Sequence, residues 1–500
     1  MSARSIGAGE AASAANRFGM GARPGELAQL RDPRDWLLAQ LRIDPAAPAR
    51  FAGLPASSEY LRREAQFQRE RFAELCTRRQ RADDASMTME GQGRDARDDD
   101  VVEQFVSTFR KSFGADLPAE LAARYRQATM TEAGFSERLV RFWSNHFAIS
   151  VDKRPATLYA APMEREAIRP HVLGNFADLL LAVETHPGML RYLDNAQSIG
   201  EGSTFATRGA RGLQRRGGNN PQPKRKLGLN ENLAREILEL HTLGVDGGYA
   251  QDDVTELARA ITGWGTPLPR DYRDGGIAKA FVFRDIAHEP GARTLLGKRY
   301  AEGGLEQGRA MLADLAKHPS TAQHLAFKLA RHFVADQPPP ALVARMAKAY
   351  RDSDGHLPAL YGVLIGSPEA WDTNARKFKT PDDFVVSALR ATRVDGGAYP
   401  ERIVGLLRQL GQPPFTPRSP AGFADTADDW SGPDALFKRV QVSQALAERV
   451  PTARLDLLQM AQDALGNGLD AETATALRRA ESPQHGMALL LASPAFQWRV

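Results

Sequence analysis

The sequence predicts a mainly α protein, a large multi-helix domain with long loops and at most a short hairpin. Apolar residues recur at intervals of three and four through most of the chain, which is the period of an amphipathic helix. Alternation typical of strands is confined to 281–289, FVFRDIAHE, and 294–300, TLLGKRY. The 500 residues are enough for one large core, and we expect a single helical domain over 1–500.

Composition narrows the class of protein. An apolar content of 42% with 25% charged residues is that of a soluble globular chain. The net charge of +4 is too small to indicate a nucleic-acid partner. The single cysteine, Cys76, excludes an internal disulfide and a CxxC metal or redox pair. The longest apolar runs are shorter than a membrane span, so no transmembrane helix is expected. Residues 1–21 lack the apolar region of a signal peptide, which predicts a cytoplasmic protein.

Helical segments and insertions alternate along the chain. Helices are predicted over 1–75, and the polar, acidic stretch 80–100 is predicted to be a mobile insertion. Helices resume over 101–185, where Leu139, Phe142, Trp143 and His146 share one helix face and place His146 toward the interior. A second mobile insertion is predicted at 200–229, because this stretch is rich in glycine, arginine and proline and has no periodicity. From Leu305 onward the pattern is helical again, interrupted by a proline-rich and aromatic coil at 411–434.

The insertion at 200–229 contains a basic loop, residues 208–226. The loop carries seven cations and no acid: Arg208, Arg211, Arg215, Arg216, Lys224, Arg225 and Lys226. Arginine binds phosphate bidentately, so a small or anionic ligand near this loop is one prediction, and a solvated, disordered insertion is the alternative. The loop lacks aromatic residues on which bases would stack, and we therefore expect no sequence-specific nucleic-acid binding.

The stretch Asn230–Trp264, a helix, a glycine-containing turn and a second helix, carries the candidate catalytic residues Arg235, Glu236, Glu239 and His241. On an α-helix the two glutamates lie about 60° apart and can share a target. His241 lies about 140° from Glu236, so it joins them only if the helix unwinds before Gly244. Paired carboxylates suit general acid–base chemistry. The alternative is a buried salt-bridge network of Arg235 with Glu239, with His241 in contact with the helix dipole.

The same residues suggest a metal site. Histidines and carboxylates drawn from several helices bind first-row divalent ions in helical bundles, so the predicted ligands are His146, Glu236, Glu239 and His288. Each has an alternative. His146 has the neighbours of a core histidine, and His288 can form a solvated pair with Glu289. The Glu-x-x-His pattern of di-iron bundles is absent, which argues against that cluster.

Six segments carry a family resemblance: ANRFGMGARPGEL, FWSNHFAIS, HPGMLRYLDN, the long segment GLNENLAREILELHTLGVDGGYAQDDVTELARAITGW, FVFRDIAHEPGARTLLG and GQPPFTPRSPAGF. In this order they resemble the bacterial family called domain of unknown function 1800, over nearly the whole chain. One departure is His288-Glu289, where the family usually has His-Asp. The resemblance implies no settled activity. Relatives often carry export signals and are encoded beside exported phosphatase-like proteins, so export with a partner is the alternative to the cytoplasm.

Two hypotheses for the function follow. The first is an enzyme with a His/Glu/Arg pocket between helices, with or without a metal. The second is a non-catalytic scaffold or assembly protein, with a protein partner, in which the polar cluster only fixes helix packing. The sequence contains no GxSxG, Walker A or HExxH motif, so it does not narrow the reaction.

Overall fold

The computed structural model of the chain describes residues 8–45, 49–86, 107–109, 111–208, 228–272, 279–450 and 456–499. The predicted mainly α fold is confirmed. The first helices are α1 (Ala8–Ser13), α2 (Glu26–Gln29), α3 (Pro33–Gln40), α4 (Ser57–Ser86), α5 (Asp116–Met130), α6 (Gly134–His146), α7 (Ala160–Met163), α8 (Phe176–Glu184) and α9 (Pro187–Tyr192). The middle of the chain forms α10 (Asn232–Glu236), α11 (Gln251–Ala260), α12 (Leu305–Lys317), α13 (Pro319–Phe333), α14 (Pro340–Asp352) and α15 (Leu357–Gly366). The last helices are α16 (Pro381–Ala391), α17 (Pro400–Gln409), α18 (Ala427–Trp430), α19 (Pro433–Ala447), α20 (Leu457–Leu465), α21 (Ala471–Arg478), α22 (Pro483–Ala492) and α23 (Pro494–Gln497).

Proline marks the start of several of these helices, because its fixed φ suits the first turn and its missing N–H is not needed there. Helices α13, α14, α16, α17, α19 and α22 all begin in this way. At α16, Thr380 also accepts a hydrogen bond from the backbone N–H of Asp383 at 3.3 Å, which caps the helix. The first turn of α16 is therefore held in place by its own sequence.

Six short strands form three antiparallel pairs in the described ranges: β1 (Trp264–Gly265) with β2 (Val282–Phe283), β3 (Arg293–Leu295) with β4 (Lys298–Tyr300), and β5 (Lys377–Phe378) with β6 (Trp498–Arg499). The two segments with strand-like alternation do not pair with each other: 294–300 lies in the β3–β4 hairpin, whereas 282–283 pairs with 264–265. Leu296 and Gly297 both have positive φ, 48° and 75°, as a two-residue hairpin turn requires. The β5–β6 pair joins segments more than 100 residues apart and ties residues 498–499 to the start of α16.

Among the residues that the structure describes, three hydrophobic cores hold the helices together. The largest is built from α6, α8 to α15 and the segments between them, and the second from α5, α16, α17, α19, α20, α22 and α23. The third is small and packs α4 against Tyr159 and Tyr272. Phe415 is half-buried and contacts both of the two larger cores, so the coil around it lies at their junction.

Within the described ranges, three segments adopt the wider π-helical hydrogen bonding: Ala14–Phe18, Glu164–Ile168 and Ile237–His241. Such segments are rare and occur frequently at functional sites. The third follows α10 directly and changes the helical register inside the predicted catalytic stretch.

The two predicted mobile insertions fall mostly outside the described residues. The first was expected to begin at residue 80, but α4 continues as a regular helix to Ser86, so its first seven residues are helical. Residues 87–100 lie outside the described ranges. In the second insertion, 204–208 form a helical turn, and 209–227, which hold most of the basic loop, are not described. Across the described ranges, every helix is too short or too polar to cross a membrane.

Candidate functional site

Charged side chains converge on one cavity of about 170 Å³, called here the site cavity. It lies between α6, α13, the first turn of α16 and the coil 412–425, where the two larger cores meet. Five cationic side chains line it: Arg124, Arg138, Arg141, Lys328 and Arg331. Three carboxylates and two histidines complete its charged and titratable lining: Asp382, Asp383, Asp425, His146 and His332. Positive charge is therefore in excess on the walls.

Helical spacing places these groups on common faces. Arg138, Arg141 and Asn145 follow one another at three- and four-residue intervals on α6, and Lys328 and His332 lie one turn apart on α13. The opposite faces of both helices are apolar and fully buried, which fixes their rotation. The polar faces are thereby directed toward the cavity rather than toward bulk solvent.

The coil over the cavity is fixed by Asn145. Its side-chain amide donates to the backbone carbonyl of Phe423 at 2.9 Å and accepts from the Phe423 N–H at 2.8 Å. Gly422 has φ of +83°, and a Cβ there would lie 2.4 Å from the backbone oxygen of Asn145. Only glycine satisfies both conditions. The coil is thus held in position by a two-bond contact with α6.

A buried ion network holds two of the carboxylates that line the cavity. Arg138 donates to Asp383 at 2.8 Å, and Arg499, which is fully buried, lies 3.7 Å from Asp383 and 3.9 Å from Asp425. Burial alone would raise the pKa of both carboxyls. At Asp425, the imidazolium form of His332 and its hydrogen bond, with Lys377 and Arg499, outweigh burial and lower the pKa to about 2. At Asp383, the charges of Arg138 and Arg499 outweigh burial and lower the pKa further below its ordinary value. Both remain ionised over the physiological range.

Two cationic groups on the walls have no internal partner. Neither the Lys328 ammonium nor the Arg331 guanidinium forms a hydrogen bond or an ion pair with any described residue, although Arg331 stacks over Phe327. Burial, reinforced by Arg331, lowers the pKa of Lys328 to about 8. Arg141 pairs with Asp382, and its Nε lies 4.0 Å from Glu137 Oε1; one Nη is buried without a hydrogen-bond acceptor in the described part of the chain. These donors are available to an anion.

His332 is held by Asp425. The distance from His332 Nδ1 to Asp425 Oδ2 is 3.0 Å, and because a carboxylate accepts, Nδ1 carries the proton. In the neutral ring Nε2 then has a free lone pair, and this atom is buried without a donor among the described residues. Burial lowers the pKa of His332, so the ring is neutral near pH 7. A carboxylate on one ring nitrogen and a free lone pair on the other is the arrangement of a general base.

His146, a predicted metal ligand, is confirmed to point inward, with 2% of its surface exposed. Its Nε2 lies 3.1 Å from the backbone oxygen of His241, so Nε2 carries the proton and Nδ1 has the free lone pair. Burial lowers the pKa of His146 well below its ordinary value. The rings of His241 and His324 lie 6.1 and 6.2 Å from that of His146, centroid to centroid.

His241 and Glu184 form a pair behind the site cavity. Nδ1 of His241 lies 2.8 Å from Glu184 Oε1, and both side chains are fully buried. His241 lies in the π-helical segment Ile237–His241, where residues five apart are separated by about one turn. This rotates His241 toward Glu236, which the α-helical geometry would have placed far from it. From the sequence, His241 is expected to approach the glutamates only if the helix unwinds before Gly244; in the structure the helix instead widens over Ile237–His241.

The other candidates lie around this pair. Glu236 is half-buried, and burial raises its pKa, to which nearby Glu239 adds. Glu239 accepts from the Tyr249 hydroxyl at 3.4 Å. Arg235 pairs with Glu231 at 3.3 Å, so the alternative in which it pairs with Glu239 is not what the structure contains.

His288 is the fourth predicted ligand. It is buried against Thr262, whose carbonyl oxygen is 3.0 Å from Nδ1, and against the Phe283 ring. Neighbouring Glu289 accepts from the Gly202 N–H instead. Within the described ranges, no group of three or more histidine, cysteine, aspartate or glutamate side chains has the geometry of a metal site. A metal at His146, Glu236, Glu239 and His288 stays a prediction, which elemental analysis of the purified protein tests.

A serine–histidine–glutamate group elsewhere is unsuited to nucleophilic catalysis. Ser57 Oγ lies 2.9 Å from His186 Nε2, and Glu166 is nearby. However, His186 Nδ1 accepts from the Gly188 N–H, so in the neutral ring Nε2 carries the proton. That nitrogen donates to Ser57 and cannot take its proton. The group serves to fix the start of α4.

A family model described as "Protein of unknown function (DUF1800)" matches residues 13–498. The chain belongs to this family. No curated protein and no solved structure matches it. In this DUF1800 protein the matched range includes every residue of the site cavity, from Arg124 to Asp425, so the cavity is part of the family's fold region.

Of the residues that line the site cavity, His146 alone was predicted from the sequence. A signal existed on α6 and α13, where charged residues recur at helical spacing beside an apolar stripe, as they do around Glu236. For Asp425 the coil has no periodicity, so no comparable signal was present.

Proposed function

We propose that this protein is an enzyme that binds a small anionic substrate in the site cavity and uses His332, oriented by Asp425, as general base. The observation that carries the proposal is the free Nε2 of His332 in a cavity with unpaired cationic groups. The anionic ligand expected near the basic loop is retained in this proposal but bound elsewhere, by Lys328 and Arg331. A volume of about 170 Å³ suits a substrate of roughly seven non-hydrogen atoms.

The chemistry follows from the charges. Lys328, Arg331 and the free Nη of Arg141 bind the anionic group of the substrate and position it. Nε2 of His332 takes a proton from a substrate or water O–H or C–H group. Asp425 then stabilises the imidazolium that forms, because the hydrogen bond from His332 Nδ1 to its carboxylate is already in place at 3.0 Å. His146, on the α6 wall, supplies a second free lone pair, suited to hydrogen bonding with the reacting group.

Binding is tested with sulfate, which carries no titratable proton near neutral pH. We expect sulfate to raise the melting temperature of the wild type and to bind the Lys328→Met, Arg331→Met double variant at least tenfold more weakly. Lys348→Met, at an exposed position pairing only with Asp352, is the matched control. Equal sulfate affinity in all three proteins would contradict the proposal that Lys328 and Arg331 bind an anion.

Catalysis is tested with His332→Asn, whose amide nitrogen still donates to Asp425 while the Nε2 lone pair is lost. A cell extract incubated with wild type should lose at least one anionic metabolite by mass spectrometry. The variant should convert it about 10² to 10⁴-fold more slowly with sulfate affinity retained. Conversion at the wild-type rate by the variant would exclude His332 as the base. If neither protein converts any metabolite, the proposed enzymatic function is wrong.

The second candidate is a non-catalytic protein in which the same charges only fix helix packing. It is favoured by Arg499, whose burial between Asp383 and Asp425 ties three distant segments together. In that case His332→Asn and Lys328→Met change stability alone. The sulfate and turnover measurements separate the two functions.

A further inference from the structure

A second cavity, far more apolar than the first, opens among α16, α17, α19 and α22 and measures about 250 Å³. We call it the apolar cavity. Its walls are aliphatic: Leu389, Ile403, Leu406, Leu446, Val450 and Leu491. Five of these six are less than a tenth exposed, so the cavity is a recess in the second core rather than a flat surface patch.

The polar side chains on its walls are mostly satisfied by the protein. Thr392 donates to the carbonyl of Ala388 at 2.8 Å. Asp395 pairs with Arg126 at 2.9 Å and accepts from the Gly397 N–H at 2.7 Å. These groups therefore offer little to a polar ligand, and the recess favours hydrocarbon.

Two arginines at the rim are different. Arg402 and Arg449 are exposed, line the apolar cavity, and form no ion pair with any of the residues that the structure describes. Arg402 stacks on Tyr399 with 4.8 Å between its guanidinium carbon and the ring centroid, which holds its charge at the mouth. The nearby Asp395 carboxylate does not neutralise these two arginines, because it is already paired with Arg126.

We propose that the apolar cavity binds an amphipathic carboxylate, with its hydrocarbon chain in the recess and its carboxylate on Arg402 and Arg449. The charge at the mouth selects an anion over an alcohol or a cation. A cavity of about 150 Å³ accepts benzene, so 250 Å³ accommodates a chain of roughly ten carbons. This ligand site is separate from the site cavity and independent of His332.

Calorimetric titration with decanoate, decanol and decyltrimethylammonium, all below their aggregation limits, tests the proposal. We expect saturable binding of one decanoate per chain, with decanol at least tenfold weaker and the cation weaker still. Removing both charges in Arg402→Ala, Arg449→Ala should reduce decanoate affinity to that of decanol and leave decanol unchanged. Arg408→Ala, on the same helix but outside the cavity, should bind decanoate as the wild type does.

Location is tested by filling the recess. Leu406→Trp, checked for folding by its thermal transition, should abolish binding of both decanoate and decanol, whereas His332→Asn should leave both unchanged. Equal affinity of the wild type for decanoate and decanol would overturn the carboxylate assignment. Undiminished binding to a folded Leu406→Trp protein, or no saturable binding to the wild type, would overturn the site itself.

Discussion

Asn145 and Gly422 approach so closely that a Cβ on residue 422 would lie 2.4 Å from the Asn145 backbone oxygen. This contact holds the coil 412–425 against α6 and closes one side of the site cavity. The position of Asp425, and with it the orientation of His332, follows from that coil. The orientation of His332, the proposed base, therefore depends on the contact between Asn145 and Gly422, although neither residue forms a hydrogen bond with the imidazole in the described part of the chain.

Gly422→Ala should lower the free energy of unfolding by at least about 2 kcal/mol, because the left-handed φ and the close approach both exclude a Cβ. Urea denaturation measures the loss. Gly405→Ala is the control: Gly405 lies exposed inside α17, and a Cβ added there would have no heavy atom within 4 Å, so the same change should stabilise by about 0.5–1 kcal/mol. A neutral Gly422→Ala would contradict the tight contact.

Asp383→Asn should cost about 3–5 kcal/mol of unfolding free energy. It leaves Arg138 and Arg499 buried beside a neutral amide, and an uncompensated buried charge is expensive. Urea denaturation at pH 7 provides the measurement, and Asp428→Asn, at an exposed position on α18, should change stability by less than about 0.5 kcal/mol. Similar small effects for both variants would mean that water reaches the network freely.

Acid should unfold the protein partly through Asp425. Its folded pKa of about 2 lies below the value of an unfolded aspartate, so the unfolded chain binds the proton first as pH falls. Stability from this group is complete above about pH 5 and is lost progressively from about pH 4 to pH 2. The loss is about 2 kcal/mol, and urea midpoints at pH 5, 4 and 3 should therefore fall more steeply for wild type than for Asp425→Asn. Parallel slopes would contradict the depressed pKa.

Sulfate binding in the site cavity should depend on the charge of Lys328. Its pKa of about 8 means that the ammonium is lost as pH rises through 8, and sulfate affinity should fall over the same range. Lys328→Arg keeps the charge at higher pH and should shift the fall upward, whereas Lys328→Met should remove it. Titration calorimetry from pH 6 to 9.5 measures all three, and an identical pH profile for the wild type and Lys328→Arg would exclude Lys328 as the sensor.

Glu236→Gln should stabilise the protein at neutral pH. The carboxylate is half-buried with its pKa raised by burial, and it forms no hydrogen bond or ion pair with any described residue, so its charge opposes folding. The gain in melting temperature should shrink as pH falls toward the carboxyl pKa, where wild-type Glu236 is protonated too. Glu239→Gln, which touches Tyr249, is the comparison. A stabilising substitution at Glu236 would favour the hypothesis that its charge is retained for function.

Local pattern predicted the helices well, because each buries one apolar face whose spacing is visible in the chain. The inward position of His146 came from that same periodicity. The site cavity could not be predicted from periodicity, because its ion pairs join residues that are far apart in the chain. Arg138 and Asp383, for example, are 245 positions apart. Nor does a pattern of 3.6 residues reveal that Ile237–His241 widens into a π-helix, which decides where His241 points.

The β5–β6 pair has a consequence for how the site comes into being. Residues 498 and 499 pair with 377 and 378, and the buried Arg499 side chain lies between Asp383 and Asp425, two residues that line the site cavity. The buried residues of the largest core lie between Ala14 and Trp371, so during synthesis its helices leave the ribosome and can pack before residue 499 does. Asp383 and Asp425 therefore lack their contact with Arg499 until residue 499 has left the ribosome. Binding competence is therefore a late event in the life of each newly made chain, separated in time from the acquisition of most of its helical structure.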